Sequence, residues 1–379
     1  MSSLMLGLEA CAPARYGFLP IQPPLQALES SYYQPWEEVC ARLPSLISRG
    51  APRAVVENLP VISTKQLRSK PEWRRAYVLL TFMVQGYTWE IPPCLSIPLL
   101  EIAAHVELPP AATYAGYCLW NYRIIDPEQS SEDPHNLASL VTFTGTEDEE
   151  WFYLTSVAIE ARGGRTRRQG RRDNCLKTLA DELHGVGVLL SQMRERCRPH
   201  VFYHRTRPLL NGSKNMAANG LPQGVIYNVG SGNAQSSLIQ LFDMAMGVEH
   251  ESSALRFIVK MRQYMPGEHR RFMEKVAAMG SVREFVKRHS SDGRLMDVYH
   301  GALRELRGLR DIHLRIVSQY IVAQSSQTMC TMDCCKSRTR EHSGETLRES
   351  GTDKDMLRGT GGTPLVQYLK RVREGVSST

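Results

Sequence analysis

The stretch from Asp292 to Val322 restricts the possible fold of this chain more than any other. Apolar residues recur in it every three or four positions, at Leu295, Tyr299, Ala302, Leu306, Leu309, Ile316 and Tyr320. That spacing predicts a long amphipathic helix with one buried face, and Asp292 can cap its first turn. The opposite face carries the charged side chains of Arg304, Glu305, Arg307, Arg310, Asp311 and Arg315.

His313 lies on the apolar face of this predicted helix, between Leu309 and Ile316. A histidine in such a place can be a core residue whose imidazole hydrogen-bonds to a backbone carbonyl. It can also be a ligand of haem iron, because proteins hold haem from one side with a neutral imidazole set in an apolar wall. The helix alone does not decide between these two interpretations.

Length and composition favour a globular protein that works in a reducing compartment. The chain has 379 residues, enough for two domains, with 42% hydrophobic and 22% charged residues. No apolar run reaches the ~20 residues of a membrane span, and residues 1–20 lack the pattern of a secretory signal peptide. Nine cysteines without the regular spacing of a disulfide framework suit reducing conditions. We therefore expect a cytoplasmic protein without a membrane partner.

The net charge of +7 raises the alternative of a protein that binds nucleic acid or another acidic partner. Most of the excess lies in residues 162–172, which contain six arginines and no acidic residue. Aromatic residues interleaved with basic ones, which single-strand binders use, are absent from this run. We expect residues 162–173 to form a solvent-exposed loop and expect no nucleic-acid partner.

Helical patterns dominate the chain, and no segment shows the alternation of a long strand. We predict an all-α protein with a small helical domain (1–125), an acidic connection (126–150) and a larger helical domain (151–379). The predicted helices of the small domain cover residues 35–47, 71–90, 97–107 and 110–123, and residues 151–161 open the large domain as an almost wholly apolar helix.

Residues 324–358 are polar and charged, which predicts a mobile loop. Within it, Cys330, Cys334, Cys335 and His342 could form a zinc site. The adjacent cysteines do not match the paired C-x-x-C spacing of such sites, so this interpretation has little support.

Eight segments, present in the same order and spread over most of the chain, resemble the indoleamine 2,3-dioxygenase family. These are haem enzymes that open the indole ring of tryptophan. The segments are LPSLISRG (43–50), VELPPAATYAGY (106–117), VFYHRTRPLLNG (201–212), AQSSLIQLFDMAMG (234–247), MRQYMPGEHRRF (261–272), SVREFV (281–286), IHLRIVSQYI (312–321) and GTGGTPLVQYLKRVR (359–373).

The resemblance implies a haem b between the two helical domains, with His313 as the proximal ligand of its iron. It also implies roles for residues near the haem, around the indole ring and in a flexible lid. Arg310, Asn233 and Ala234 would lie near the haem; Tyr114, Phe152, Phe202 and Tyr203 would shape the indole pocket; Ser156 would stand near the oxygen site; Arg207 would bind the substrate carboxylate; and Thr360 would belong to the lid.

The reaction implied by the resemblance is insertion of O2 across the indole C2–C3 bond of L-tryptophan to give N-formylkynurenine. This is the first step of the kynurenine pathway of tryptophan catabolism and, in many organisms, of NAD synthesis. It needs O2 and an electron donor that keeps the iron ferrous, and we expect a monomer. The alternative within the same fold is a non-catalytic haem or oxygen-binding protein.

Three departures from the family pattern affect the distal side of the implied haem site. After Glu160 the arginine run replaces an apolar helix, and the stretch up to Phe202 is short. The loop after residues 225–229 is also short, and Gly232-Asn233-Ala234 lacks an expected hydroxyl. We therefore expect a loose distal wall of Phe, Tyr and Ser, without a carboxylate, that binds tryptophan more weakly than the wall of intact relatives.

Overall fold

The computed structural model describes residues 17–87, 91–164, 175–211, 232–326 and 365–377. Within these ranges the chain is predominantly helical, which confirms the all-α prediction. The first helices are α1 (Gln34–Ala41), α2 (Leu43–Ser48), α3 (Pro52–Val56), α4 (Lys70–Gly86) and α5 (Pro93–His105). The later ones are α6 (Glu147–Gly163), α7 (Cys175–Arg196), α8 (Ser237–Met246), α9 (Ser252–Arg262), α10 (Gly267–Ala277), α11 (Val282–Arg288), α12 (Gly293–Val317) and α13 (Leu365–Ser377).

Several short turns complete the described backbone. The 199–210 segment joins an α-helical turn (Pro199–Val201), a π-helical turn (Phe202–Thr206) and a 3-10 turn (Arg207–Leu210). Further π-helical turns span Ala115–Leu119 and Ser318–Val322, and further 3-10 turns span Ser31–Tyr33, Thr64–Gln66, Pro134–Asn136 and Asn233–Gln235. None of the described helices has the length and hydropathy that a membrane crossing requires.

The helix predicted over residues 110–123 is wrong over most of its length. Only the π-helical turn after Tyr114 is helical, and the chain then enters strand β1 (Tyr122–Ile124). β1 pairs antiparallel with β2 (Leu137–Ser139), with Arg123 opposite Ala138. The side chain of Asn121 hydrogen-bonds to both the N–H and the C=O of Val141, so tertiary pairing overrides the local helical pattern here.

Helix α12 is the amphipathic helix that the apolar spacing predicts. Asp292 caps it by accepting a hydrogen bond from the Leu295 N–H at 3.1 Å. All but Leu295 of the seven predicted apolar positions are buried, and the helix packs against α7 and α13. Arg310 is an exception to the predicted solvent face, because its side chain is only 11% exposed and points into the protein.

The buried apolar residues of the described chain form one main cluster that runs from Phe18 to Val376. Part of the predicted connection over residues 126–150 belongs to this core. Glu149 is fully buried there, and its carboxylate accepts hydrogen bonds from the N–H groups of Phe143 and Thr144, each at 2.7 Å. The division into domains at residues 125 and 151 stays a prediction.

The predicted solvent loop over residues 162–173 is wrong for its first three residues, since Gly164 is the buried C-cap of α6. Arg162 and Gly163 form the last turn of α6, and the Arg162 side chain is ion-paired with Glu182 at 3.0 Å and Glu132 at 3.6 Å. The other five arginines of the run lie outside the described residues. Arg162 therefore does not support the nucleic-acid alternative, because Glu132 and Glu182 already neutralise its charge.

Gly163 sits where α6 approaches the first turn of α8. A Cβ atom at Gly163 would lie 2.3 Å from Leu238 Cδ2, closer than any stable contact. We expect Gly163→Ala to lower the free energy of unfolding by about 1–3 kcal/mol, because the buried Leu238 side chain or one of the two helices must shift to relieve the overlap. Urea unfolding measures this change.

Gly308 in α12 is a matched control, because nothing lies within 4 Å of a Cβ atom built there. Gly308→Ala should leave stability unchanged or raise it by up to about 1 kcal/mol through helix propensity. Equal effects of the two substitutions would show that α6 and α8 are not tightly packed at Gly163.

Candidate active site

A cavity of about 210 Å³ lies among α6, α7, α12, α13 and the 199–210 segment. It exceeds the ~150 Å³ of an engineered apolar cavity that binds benzene, so an aromatic ring fits inside. Much of its surface is aliphatic, from residues that include Ile159, Val186, Leu190, Leu309, Ile316 and Val317. Such a cavity, with few polar groups, is typical of a site for a largely apolar ligand.

The structure brings together most of the residues that the family resemblance singles out. Nine of the eleven line this cavity: Tyr114, Phe152, Ser156, Phe202, Arg207, Asn233, Ala234, Arg310 and His313. Tyr203 does not line it, and Thr360 lies outside the described residues.

His313 reaches the cavity from α12 and makes no hydrogen bond with any described residue. Burial, aided by the nearby charge of Arg310, lowers the pKa of His313 to about 4. The imidazole is therefore neutral at physiological pH and has a nitrogen lone pair free for a metal. The carbonyl bond that the core-histidine interpretation needs is absent from the described part of the chain.

Arg310 is held in place by a buried carboxylate of α8. Its Nη2 donates to Asp243 Oδ1 at 2.7 Å and to Oδ2 at 2.8 Å, and His250 Nε2 lies 3.2 Å from the same Oδ2. Burial alone would raise the pKa of Asp243, but the charge of Arg310 and the contact with His250 bring it below its usual value. The arrangement fixes a cation in the cavity wall, one helical turn from His313.

Arg207 brings a second cation to the cavity. Its guanidinium carbon lies 5.3 Å from the centre of the Tyr203 ring, close enough for a cation–π contact. Burial lowers the pKa of Arg207, yet an arginine stays charged in proteins. Tyr203 therefore contacts the cavity indirectly, through Arg207.

The aromatic wall of the cavity consists of Tyr114, Phe152, Ser156 and Phe202. The Phe152 and Phe202 rings pack with centroids 4.9 Å apart and planes tilted by 49°. The Ser156 hydroxyl donates to the Phe152 carbonyl at 3.3 Å within α6. Together these residues give a largely apolar surface whose polar groups are the hydroxyls of Ser156 and Tyr114.

Glu160 is a carboxyl group that sequence reasoning missed, and it lies directly behind the aromatic wall. Its Oε1 accepts hydrogen bonds from the Tyr114 hydroxyl at 3.0 Å and the Ser236 hydroxyl at 2.6 Å. Burial raises the pKa of Glu160 to about 7, although these two hydrogen bonds act in the opposite direction. The sequence contains a signal for this buried group, because Glu160 is the only acidic residue in the apolar stretch 151–161.

Comparisons with known proteins agree with this geometry. The sequence model of the family described as indoleamine 2,3-dioxygenase matches residues 12–379. An indoleamine 2,3-dioxygenase of Penicillium citrinum is 36% identical over 96% of this chain and 86% of its own length. One of Saccharomyces cerevisiae is 34% identical over 97% of this chain and 92% of its own length. A 6-hydroxytryptophan 2,3-dioxygenase of Fusarium equiseti is 33% identical over 95% of this chain and 94% of its own length. This chain belongs to the indoleamine 2,3-dioxygenase family.

Proposed function

We propose that this protein is a haem-dependent dioxygenase that converts L-tryptophan and O2 into N-formylkynurenine. One observation carries the proposal. The neutral imidazole of His313, without a partner among the described residues, faces a cavity that also receives the guanidinium of Arg207. Family membership makes a dioxygenase the expected class of enzyme.

The residue types that line the cavity suit a haem b by their chemistry. His313 would bind the iron, the aliphatic side chains of α7 and α12 would contact the porphyrin, and Arg310 would face its acidic edge. Asn233 and Ala234 would border the same group. When bound, haem supplies the redox chemistry that lets dioxygen react with an organic ring.

The carboxylate and the indole ring of tryptophan need different binding groups, and the cavity has a group for each. Arg207 would bind the tryptophan carboxylate, since its planar fork gives two parallel charge-assisted hydrogen bonds. Phe152 and Phe202 would hold the indole ring by aromatic packing and exclude water from it. An indole ring is electron-rich, so the wall needs no strong base beside it, and Ser156 supplies only one weak polar contact.

The proposed substrate is L-tryptophan. The reaction would belong to tryptophan catabolism by the kynurenine pathway and lead towards NAD synthesis. An electron donor would keep the iron ferrous. One relative is named for 6-hydroxytryptophan, whose ring hydroxyl would need a hydrogen-bonding partner in the indole pocket. Phe152 and Phe202 offer no such partner, and the hydroxyls of Ser156 and Tyr114 already donate to the Phe152 carbonyl and to Glu160, which favours the unsubstituted ring.

A spectrum followed by a turnover assay tests the proposal. We expect the purified protein to take up one haem per chain and, with a chemical reductant and air, to convert L-tryptophan into N-formylkynurenine. Parallel assays with 6-hydroxytryptophan should show a lower kcat/KM. A protein that takes up haem but consumes neither amino acid would be the non-catalytic haem protein instead.

A further inference from the structure

Glu160 joins three segments that each contribute to the cavity. It lies in α6, three residues before Gly163, and is 1% exposed. One of its oxygens, Oε1, accepts hydrogen bonds from Tyr114, which precedes a π-helical turn, and from Ser236, which caps α8. Tyr114 and Ser236 both line the cavity, whereas Glu160 does not.

The Ser236 hydroxyl has two tasks at this junction. It donates to Glu160 Oε1 and accepts from the Ile239 N–H at 3.3 Å, as the N-cap of α8. The neighbouring Gln235 side chain accepts the backbone N–H of Tyr114 at 2.8 Å. The position of Tyr114 relative to α8 is thus fixed by hydrogen bonds at both its backbone and its hydroxyl.

Joining these segments through a buried carboxyl group lowers the stability of the fold. The second oxygen of Glu160, Oε2, is buried and has no hydrogen-bond partner among the described residues. The groups that face the carboxyl are Tyr114 and Cys118 from one segment and Ser236 from the other. Burial raises the pKa of both Tyr114 and Cys118, so these two side chains stay uncharged. A buried charge without a cation costs stability, so the neutral acid is the favoured form of Glu160 below about pH 7.

We propose that Glu160 is a positioning residue, whose neutral carboxyl group holds Tyr114 and Ser236 at the cavity surface and so sets the affinity for the indole substrate. This inference rests on the proposed function, because tryptophan is its probe. Ionisation of Glu160 would place a negative charge behind the aromatic wall and draw water towards it. We therefore expect tryptophan affinity to fall as the pH rises through about 7.

Two variants of the haem-loaded protein test this inference. Glu160→Gln keeps the shape and an acceptor oxygen but cannot ionise, whereas Glu160→Leu removes both hydrogen bonds. We expect Glu160→Leu to raise the KM for tryptophan roughly tenfold at pH 6, and Glu160→Gln to restore it to within about threefold of the wild type. The haem spectrum should be the same in all three proteins, because His313 lies on another helix.

The pH profile separates positioning from simple packing. Between pH 6 and pH 8, the KM of the wild type should rise at least about threefold as Glu160 ionises, and that of Glu160→Gln should stay flat. In the haem-loaded protein His313 would bind the iron, so it does not contribute to this pH dependence. This comparison needs only Glu160→Gln, so it stands even if Glu160→Leu fails to fold.

Two results would overturn the inference: a wild-type KM in Glu160→Leu, or an unchanged pH dependence in Glu160→Gln. Failure of the proposed function looks different, because the wild type itself would then consume no tryptophan. In that case dissociation constants for tryptophan, from shifts in the haem spectrum, replace KM in the same comparisons.

Discussion

Haem should not bind stably to the His313→Ala variant, although the rest of the fold should survive. The imidazole of His313 is the only histidine side chain that lines the cavity among the described residues, and no protein group competes for its nitrogens there. Alanine favours helix, so α12 should keep its length and its packing against α7 and α13. The measurements are haem content per chain, the Soret band and the far-ultraviolet circular dichroism of the helices.

His300→Ala is the matched control for this substitution. His300 lies in the same helix but is exposed, and it does not line the cavity. It should bind haem as the wild type does. A normal Soret band at full occupancy in His313→Ala would show that another group holds the iron, and His269 would then be the next residue to replace.

Arg207→Ala should lower kcat/KM for tryptophan roughly 10- to 150-fold, which corresponds to losing ~1.5–3 kcal/mol of charge-assisted hydrogen bonding. The carboxylate of the substrate is the group that a half-buried guanidinium at this cavity is suited to bind. Tryptamine has the same ring without the carboxylate, so its turnover should change far less. Arg207→Lys should recover only part of the loss, because an ammonium lacks the planar fork.

Arg205→Ala provides the control, since Arg205 is exposed on the same 199–210 segment and does not line the cavity. Its kinetics should match those of the wild type. Equal losses for tryptophan and tryptamine in Arg207→Ala would mean that Arg207 supports the fold of the segment and does not bind the carboxylate.

Periodicity predicted α12 and its buried face correctly, because a long amphipathic helix is determined by residues close in sequence. It could not predict that Arg310 turns inward, since the cause is Asp243, 67 positions away. The helix predicted over residues 110–123 was wrong for a similar reason: Asn121 hydrogen-bonds to Val141, 20 positions away, and local patterns do not show that partner.

The candidate site came from the family resemblance and not from periodicity. His313 alone left two interpretations open, and only the order of eight segments pointed to haem. Arg162 and Gly163 were misassigned because six arginines in one run suggest solvent, whereas the acids that pair with Arg162 lie on other elements. Glu160 was missed because its partners, Tyr114 and Ser236, are 46 and 76 positions away.

The most direct test of the whole account is the origin of the oxygen atoms in the product. The haem-loaded protein should be given L-tryptophan and a reductant under isotopically labelled 18O2, and the product analysed by mass spectrometry. A dioxygenase that opens the indole ring places both atoms of one O2 molecule in N-formylkynurenine, so the fresh product should carry two labelled oxygens. Haem uptake through His313 would contradict the account if the tryptophan stayed unreacted or if its product carried no labelled oxygen.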